Sequence, residues 1–297
     1  MKLSIPVVVL LFSSIGWGLT WLPLRYFDSV GLAGPLMIFI AFFSAVVFLL
    51  PLLVKGKKSN LMNGLHLLLL IALFGGLANL SFQTALYYGD VVRVMILFYL
   101  LPIWSVLGGR IFLGERIDAL RLLTLAAALA GGVLILGGTG VLSRPPDLID
   151  LLAVLSGFSF AMNNLVFRFA QSIPLINKVI AMFIGVVVFI GLFLVFNSET
   201  LKLPSLQTTI LAMGYGIVWL SLITIGTQWG VTRLEAGRAS IIIVMELVAA
   251  VVSAVLILGQ PLALAEFTGA VLVVAAALLE GFRTEQDTVI LECRENA

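Results

Sequence analysis

Apolar stretches of about twenty residues, separated by short polar turns, recur from one end of the chain to the other. A helix rises about 1.5 Å per residue, so about 20 apolar residues cross the ~30 Å hydrocarbon core of a bilayer. With charges, prolines and glycines as punctuation, the pattern predicts spans at 4–24, 33–54, 65–87, 91–112, 120–140, 149–169, 178–197, 207–231, 237–259 and 263–282. None of these runs alternates as a barrel strand would, and in lipid every backbone N–H and C=O needs an internal partner. The fold class is therefore all-α, a polytopic membrane protein of ten helices. The first run follows Lys2 and continues to about Leu24 without an Ala-x-Ala pattern, so it reads as a membrane helix and not as a cleaved leader.

Charge placement adds topology. Lys and Arg divide thirteen to four between the two sets of turns; the smaller set is Arg25, Arg93, Arg144 and Lys202. The positive-inside rule then puts both termini in the cytoplasm and favours an even number of spans. Only 11% of residues are charged and 61% are hydrophobic, against about 25% charged in a soluble domain. The net charge of +2 gives no nucleic-acid surface, so the bilayer itself is the expected macroscopic partner. Cys293 and His66 are each the single residue of their type, which removes an internal disulfide, a cysteine metal cluster and a His-rich metal site. No nucleotide-binding motif and no cofactor motif is present.

Sliding the chain against itself by 145 positions places Asn79 on Thr224, Gln83 on Gln228, Asp90 on Glu235, Arg93 on Arg238 and Gly114 on Gly259 without a gap. Apolar positions match by chance, but rare polar residues seldom do. A shift of five spans, an odd number, makes the halves oppositely oriented. The expected organisation is a first five-helix repeat at 1–144, a second at 145–282 and a short cytoplasmic tail at 283–297. Inverted repeats are the architecture with which many secondary transporters build a central site near the bilayer midplane.

The residues resemble the drug/metabolite transporter superfamily, in particular its EamA-type ten-helix permeases. The resemblance is carried by Arg93 through Tyr99, Pro102 and Gly114-Glu115 in the first half, and by Arg238, Glu246 and Gly259-Gln260 in the second. The chain departs from the family pattern at Leu247, where a proline usually follows the glutamate, and at Gln260, where a glutamate usually follows the glycine. The resemblance implies transport of small metabolites from an inner (plasma) membrane, often export of amino acids or related compounds. The stretch from Arg93 to Trp104 looks most like amino-acid exporters, including those for aromatic amino acids.

Polar side chains facing lipid are costly, so those inside spans mark the interior of the bundle. Asn79 and Gln83 stack on one face of the third helix and Thr224 and Gln228 repeat that face on the eighth. Trp17 and Trp21 share a face of the first helix, and Ser159, Asn163 and Asn164 form the polar cluster of the sixth. Together with Tyr99, Tyr215 and Trp219 these would line a cavity of rings and amides suited to a small amphipathic solute. The competing reading is that the amides are interhelical glue worth about 0.6 kcal/mol and that the rings are interfacial anchors.

Glu246 lies in the apolar run from Ile241 to Leu258 with no basic residue within a helical turn. It is a proton-coupling carboxyl, a ligand for a substrate ammonium, or a neutral acid held by a backbone or amide partner. Asp90 with Arg93 and Glu235 with Arg238 are expected as turn-stabilising ion pairs, Glu115 as a solvated turn residue and His66 as a boundary residue. The leading expectation is a secondary transporter working by alternating access. Its competitors are an efflux carrier of cationic drugs and a non-transporting scaffold. A membrane enzyme would need a partner acid or base near Glu246, which the spans do not supply.

Overall fold

The computed structural model describes residues 3–32, 34–54, 64–137, 145–197, 204–259 and 263–283. The expected tail beyond Arg283 with Cys293, the basic residues Lys2, Arg144 and Lys202, and Gln260 lie outside the described residues. Among the described residues, nine helical segments of 18 residues or more are apolar enough to cross a membrane: Ile5–Ser29, Gly34–Leu53, Leu65–Leu86, Val91–Leu113, Leu148–Phe169, Leu175–Phe196, Leu206–Arg233, Ala236–Leu258 and Leu264–Gly281. Ala119–Ile135, with 17 residues, supplies the tenth. In chain order these are the first to tenth spans, with Ala119–Ile135 the fifth.

Three boundaries differ from the sequence expectation. The fifth helix stops at Ile135 instead of 140, where Leu136 and the left-handed Gly137 turn the chain. The first span runs on to Ser29. The seventh begins at Leu175, because Pro174 caps the start and Lys178 is inside the helix and not ahead of it. Capping explains several starts: Asp118 accepts from the amide of Arg121, Ser205 from that of Thr208, and Asp147 and Asp150 form a reciprocal capping box.

The most extensive helix pairings join one half of the chain to the other. The third span packs on the sixth and seventh, the fifth on the tenth, the second on the seventh and eighth, and the first on the eighth and ninth. One core cluster, with Met37, Ala41, Phe42, Phe183, Val186 and Ile190, welds the second span to the seventh. The halves therefore interlock and are not two bundles side by side. Leu3 and Val7 lie against Gly281, so the described start and end of the chain share one face, called the terminal face below.

Candidate functional site

Four spans are irregular near their middles. Pro23 lacks an N–H and crowds the carbonyl four residues back, and the first span breaks at Leu19-Thr20. Pro102 does the same to Phe98, and the fourth span breaks at Tyr99-Leu100. The ninth span is interrupted at Val244, the position 145 residues after Tyr99, although no proline follows it there. In the eighth, Tyr215–Leu220 forms a π-helical segment, a feature frequent at functional sites.

The fourth and ninth spans cross at their interruptions. Toward the terminal face they pack directly: Gly109 sits against Ala236, and Gly237 against Val106. Beyond the breaks they take different neighbours. Val91–Phe98 packs on the sixth span, where a side chain at Gly157 would strike the Phe98 carbonyl. Met245–Leu258 packs on the first span, where Gly18 lets the backbone approach Ala249 and Ala250. At the crossing, the Tyr99 hydroxyl donates to Glu246 Oε1 at 2.5 Å. Tyr99 is buried, whereas Glu246, in the second position of its half-helix, keeps some accessible surface.

The remaining sequence-chosen residues fall into separate contacts. Trp17 donates its indole N–H to Thr227 Oγ1 at 3.2 Å and Trp21 to Ser253 Oγ at 2.9 Å, linking the first span to the eighth and ninth. They do not share one continuous helix face as expected, because the helix is broken between them and Thr20 Oγ1 donates to the Trp17 carbonyl at 2.6 Å. Gln228 donates to Asn164 Oδ1 at 3.1 Å. Asn163, the next residue, turns the other way: its Nδ2 meets Met182 Sδ at 3.5 Å and its Oδ1 lies toward Gly75. Asn79 donates to the carbonyl of that same Gly75 at 3.1 Å. Gln83 is half-buried on the third span. Asn163 Oδ1, Gln228 Oε1 and the hydroxyls of Ser159 and Thr224 are buried without a protein hydrogen-bond partner. Since buried polar atoms are normally satisfied, such a group of orphans marks places for water or a polar ligand. Trp219, in the π segment, also has an unpaired indole N–H, while Tyr215 packs edge-on against Phe27.

The charged residues correct three expectations. Arg93 does not pair its guanidinium with the acid of its own turn. Asp90 instead accepts the Arg93 backbone N–H at 2.9 Å, while the guanidinium grips Asp150 on the sixth span at 2.5 and 2.6 Å. Glu235 pairs with Arg121, and Arg238 donates to the Gly281 carbonyl at 3.0 Å. Glu115 is not a solvated turn residue. It accepts from Arg168 Nε at 2.8 Å and from the backbone N–H of Ala236, capping the ninth span from the end of the fourth. Around it, Arg121 also faces the buried Glu280 at 3.0 Å, and Arg283 pairs with Asp118. Glu115, Asp118 and Arg121 belong to the first half, and Arg168, Glu235, Glu280 and Arg283 to the second, so this network ties the halves together at the terminal face.

Sequence reasoning did not single out Asp150, Glu280 or Lys178. The Asp147-x-x-Asp150 spacing of a capping box was the available signal for Asp150. Lys178 is buried, with its ammonium on the carbonyls of Phe167 at 2.7 Å and Ala170 at 3.1 Å, where it closes the C-terminal end of the sixth span.

A crystal structure of another protein, 16% identical, superposes with a TM-score of 0.75 over 95% of this chain and 99% of that one, a likeness of fold. No curated protein matches the chain. The family model of EamA-like transporters matches twice, over residues 4–137 and 147–281, which accounts for the two halves and for nearly all the described spans. The chain belongs to the EamA-like transporter family of the drug/metabolite transporter superfamily and is a multi-pass membrane transporter.

Proposed function

We propose that the protein is a secondary transporter that moves small metabolites, amino acids or related compounds, by alternating access, and that it works as an exporter in the plasma (inner) membrane. The terminal face is assigned to the cytoplasm, on the thirteen-to-four distribution of basic residues. One observation carries the reading. The two interrupted spans meet at Tyr99 and Glu246, pack together on the terminal side and diverge on the other. That is the arrangement expected of a carrier closed at one face around a central locus.

The substrate locus in this reading comprises Tyr99 and Glu246 at the crossing, with Trp17 and Trp21 on the adjoining first span. Asn164, Gln228 and Thr224 form one polar flank, and Asn79, Gln83 and Asn163 the other. Their orphaned oxygens support a polar occupant over purely structural glue.

Counterflow in proteoliposomes tests the proposal. Vesicles loaded with an unlabelled amino acid or related amine are expected to accumulate the same solute in labelled form transiently without altering it chemically. Vesicles that take up no member of an amino-acid, amine and nucleoside panel above protein-free controls would leave a scaffold as the better reading.

A further inference from the structure

The buried charges show a division of labour. Among the described residues each buried cation is engaged near one end of its span: Arg93 on Asp150, Arg121 on Glu235 and Glu280, Arg283 on Asp118, and Arg238 and Lys178 on main-chain carbonyls. The acids of these networks likewise face arginines. Glu246 differs. It stands mid-span, and among the described residues its recorded partner is the neutral phenol of Tyr99. No described lysine, arginine or histidine pairs with it.

An ionised carboxylate at that depth needs a compensating positive charge, because isolated ions in low dielectric are strongly disfavoured. The Tyr99 phenol donates to Oε1 and fixes the carboxyl through that oxygen, while the second oxygen stays open. The position at the start of the Met245–Leu258 half-helix adds a favourable dipole. Elsewhere in the bundle the buried orphan atoms include the acceptors Asn163 Oδ1 and Gln228 Oε1, together with the hydroxyls of Ser159 and Thr224 and the indole N–H groups of Trp104 and Trp219. Aromatic surface adjoins the carboxyl, with the Tyr99 and Phe98 rings edge to face at 5.2 Å. The open oxygen of Glu246 suits a donor-rich cation, and among the described residues the buried guanidinium and ammonium groups are engaged with partners other than Glu246.

Building on the carrier reading above, we propose that Glu246, positioned by Tyr99, is the recognition point for a substrate ammonium group, and that the site takes monocationic amines in preference to zwitterionic or anionic relatives. Glu246 is the binding group. Tyr99 is a positioning residue that acts through the carboxylate.

Phenethylamine, phenylalanine and 3-phenylpropanoate share a ring and differ in their charged groups, and a ligand that binds the folded form raises its thermal stability. With the full-length protein in detergent at equal ligand concentrations, the expected order of stabilisation is amine, then amino acid, then acid, the last giving no shift. Glu246→Gln is expected to remove the shift by the amine. Tyr99→Phe is expected to keep the order and weaken amine binding about tenfold, the loss expected of one hydrogen bond to a charged group. Glu246→Asp, which keeps the charge, should retain the order with lower affinity and covers the case in which Glu246→Gln does not fold. An acid that stabilises as well as the amine, an amine that gives no shift, or amine binding by Glu246→Gln within twofold of the unaltered protein would each overturn the assignment. If amines fail to bind while another solute shows counterflow, the ammonium assignment falls and the carrier reading stands. If no solute moves, the carrier reading itself falls.

Discussion

The fourth and ninth spans occupy equivalent places in the two repeats and begin with the same local chemistry, an acid followed three residues later by an arginine. Their backbones agree closely: both are interrupted at equivalent residues, Tyr99 and Val244, and both end on a left-handed glycine, Gly114 at φ 68° and Gly259 at φ 66°. Their side chains disagree. Asp90 caps its own helix and frees Arg93 for Asp150, whereas Glu235 leaves its helix to be capped by Glu115 and turns to Arg121. At the break the fourth span carries a phenol and the ninth, two residues on, the carboxylate that accepts from it. Repetition thus sets the backbone path, and the partners chosen across the halves break the symmetry. One face is laced shut, while at the other the two spans go to different neighbours.

The two arginines, removed one at a time, should have unequal effects. Arg93→Leu leaves Asp150 buried with its guanidinium partner gone, and losing one member of a buried ion pair costs about 3–5 kcal/mol. Arg238→Leu leaves a carbonyl without its charged donor, a loss of about 1.5–3 kcal/mol. Thermal unfolding in detergent should therefore show a larger drop in Tm for Arg93→Leu. Equal drops would mean that the two arginines have equivalent surroundings after all.

The glycines sharpen the agreement instead. Gly114→Ala and Gly259→Ala each place a Cβ on a left-handed residue, at a cost of about 1–2 kcal/mol. Nothing lies within 4 Å of either added carbon, so conformation alone sets the penalty and the two losses should match. A twofold difference between their Tm shifts would show that the helix ends are not equivalent.

Much of the fold could be read along the chain because a bilayer demands helices of a particular length and punishes polar residues on them. That demand fixes the spans, and the polar register at 145 residues reveals the repeat. The partners were harder to read. Arg93 and Asp150 are 57 residues apart, and nothing local ranks Asp150 above the nearer Asp90. Adjacent amides such as Asn163 and Asn164 look like one cluster in sequence, yet on a helix they are turned about 100° from each other and meet different spans. Lys178 looks like a loop cation because lysine is rarely buried, and only the exposed carbonyls at the end of the neighbouring helix explain its place inside. Glu246 was visible from its isolation, but the phenol opposite it comes from the other half of the chain.

The smallest expected effect tests whether the ninth span is truly interrupted where the fourth is. Pro102 accounts for the break in the fourth span, while the ninth breaks without help from Leu247 at the equivalent position. Here the Leu247 N–H donates to the Val244 carbonyl, three residues back, at 3.0 Å, so the regular bond to Ile243 is already strained or lost. Leu247→Pro forfeits that one contact, about 1 kcal/mol. Proline inside an uninterrupted helix costs about 3 kcal/mol or more, since it also removes a regular bond and drives its ring into the carbonyl four residues back. A Tm close to that of the unaltered protein, with counterflow retained, would show that both spans carry the same break and that the proline in the fourth span only reinforces it. A loss as large as that of a mid-helix proline would make the ninth span continuous, and Glu246 would then sit on an unbroken helix with no half-helix start beneath it.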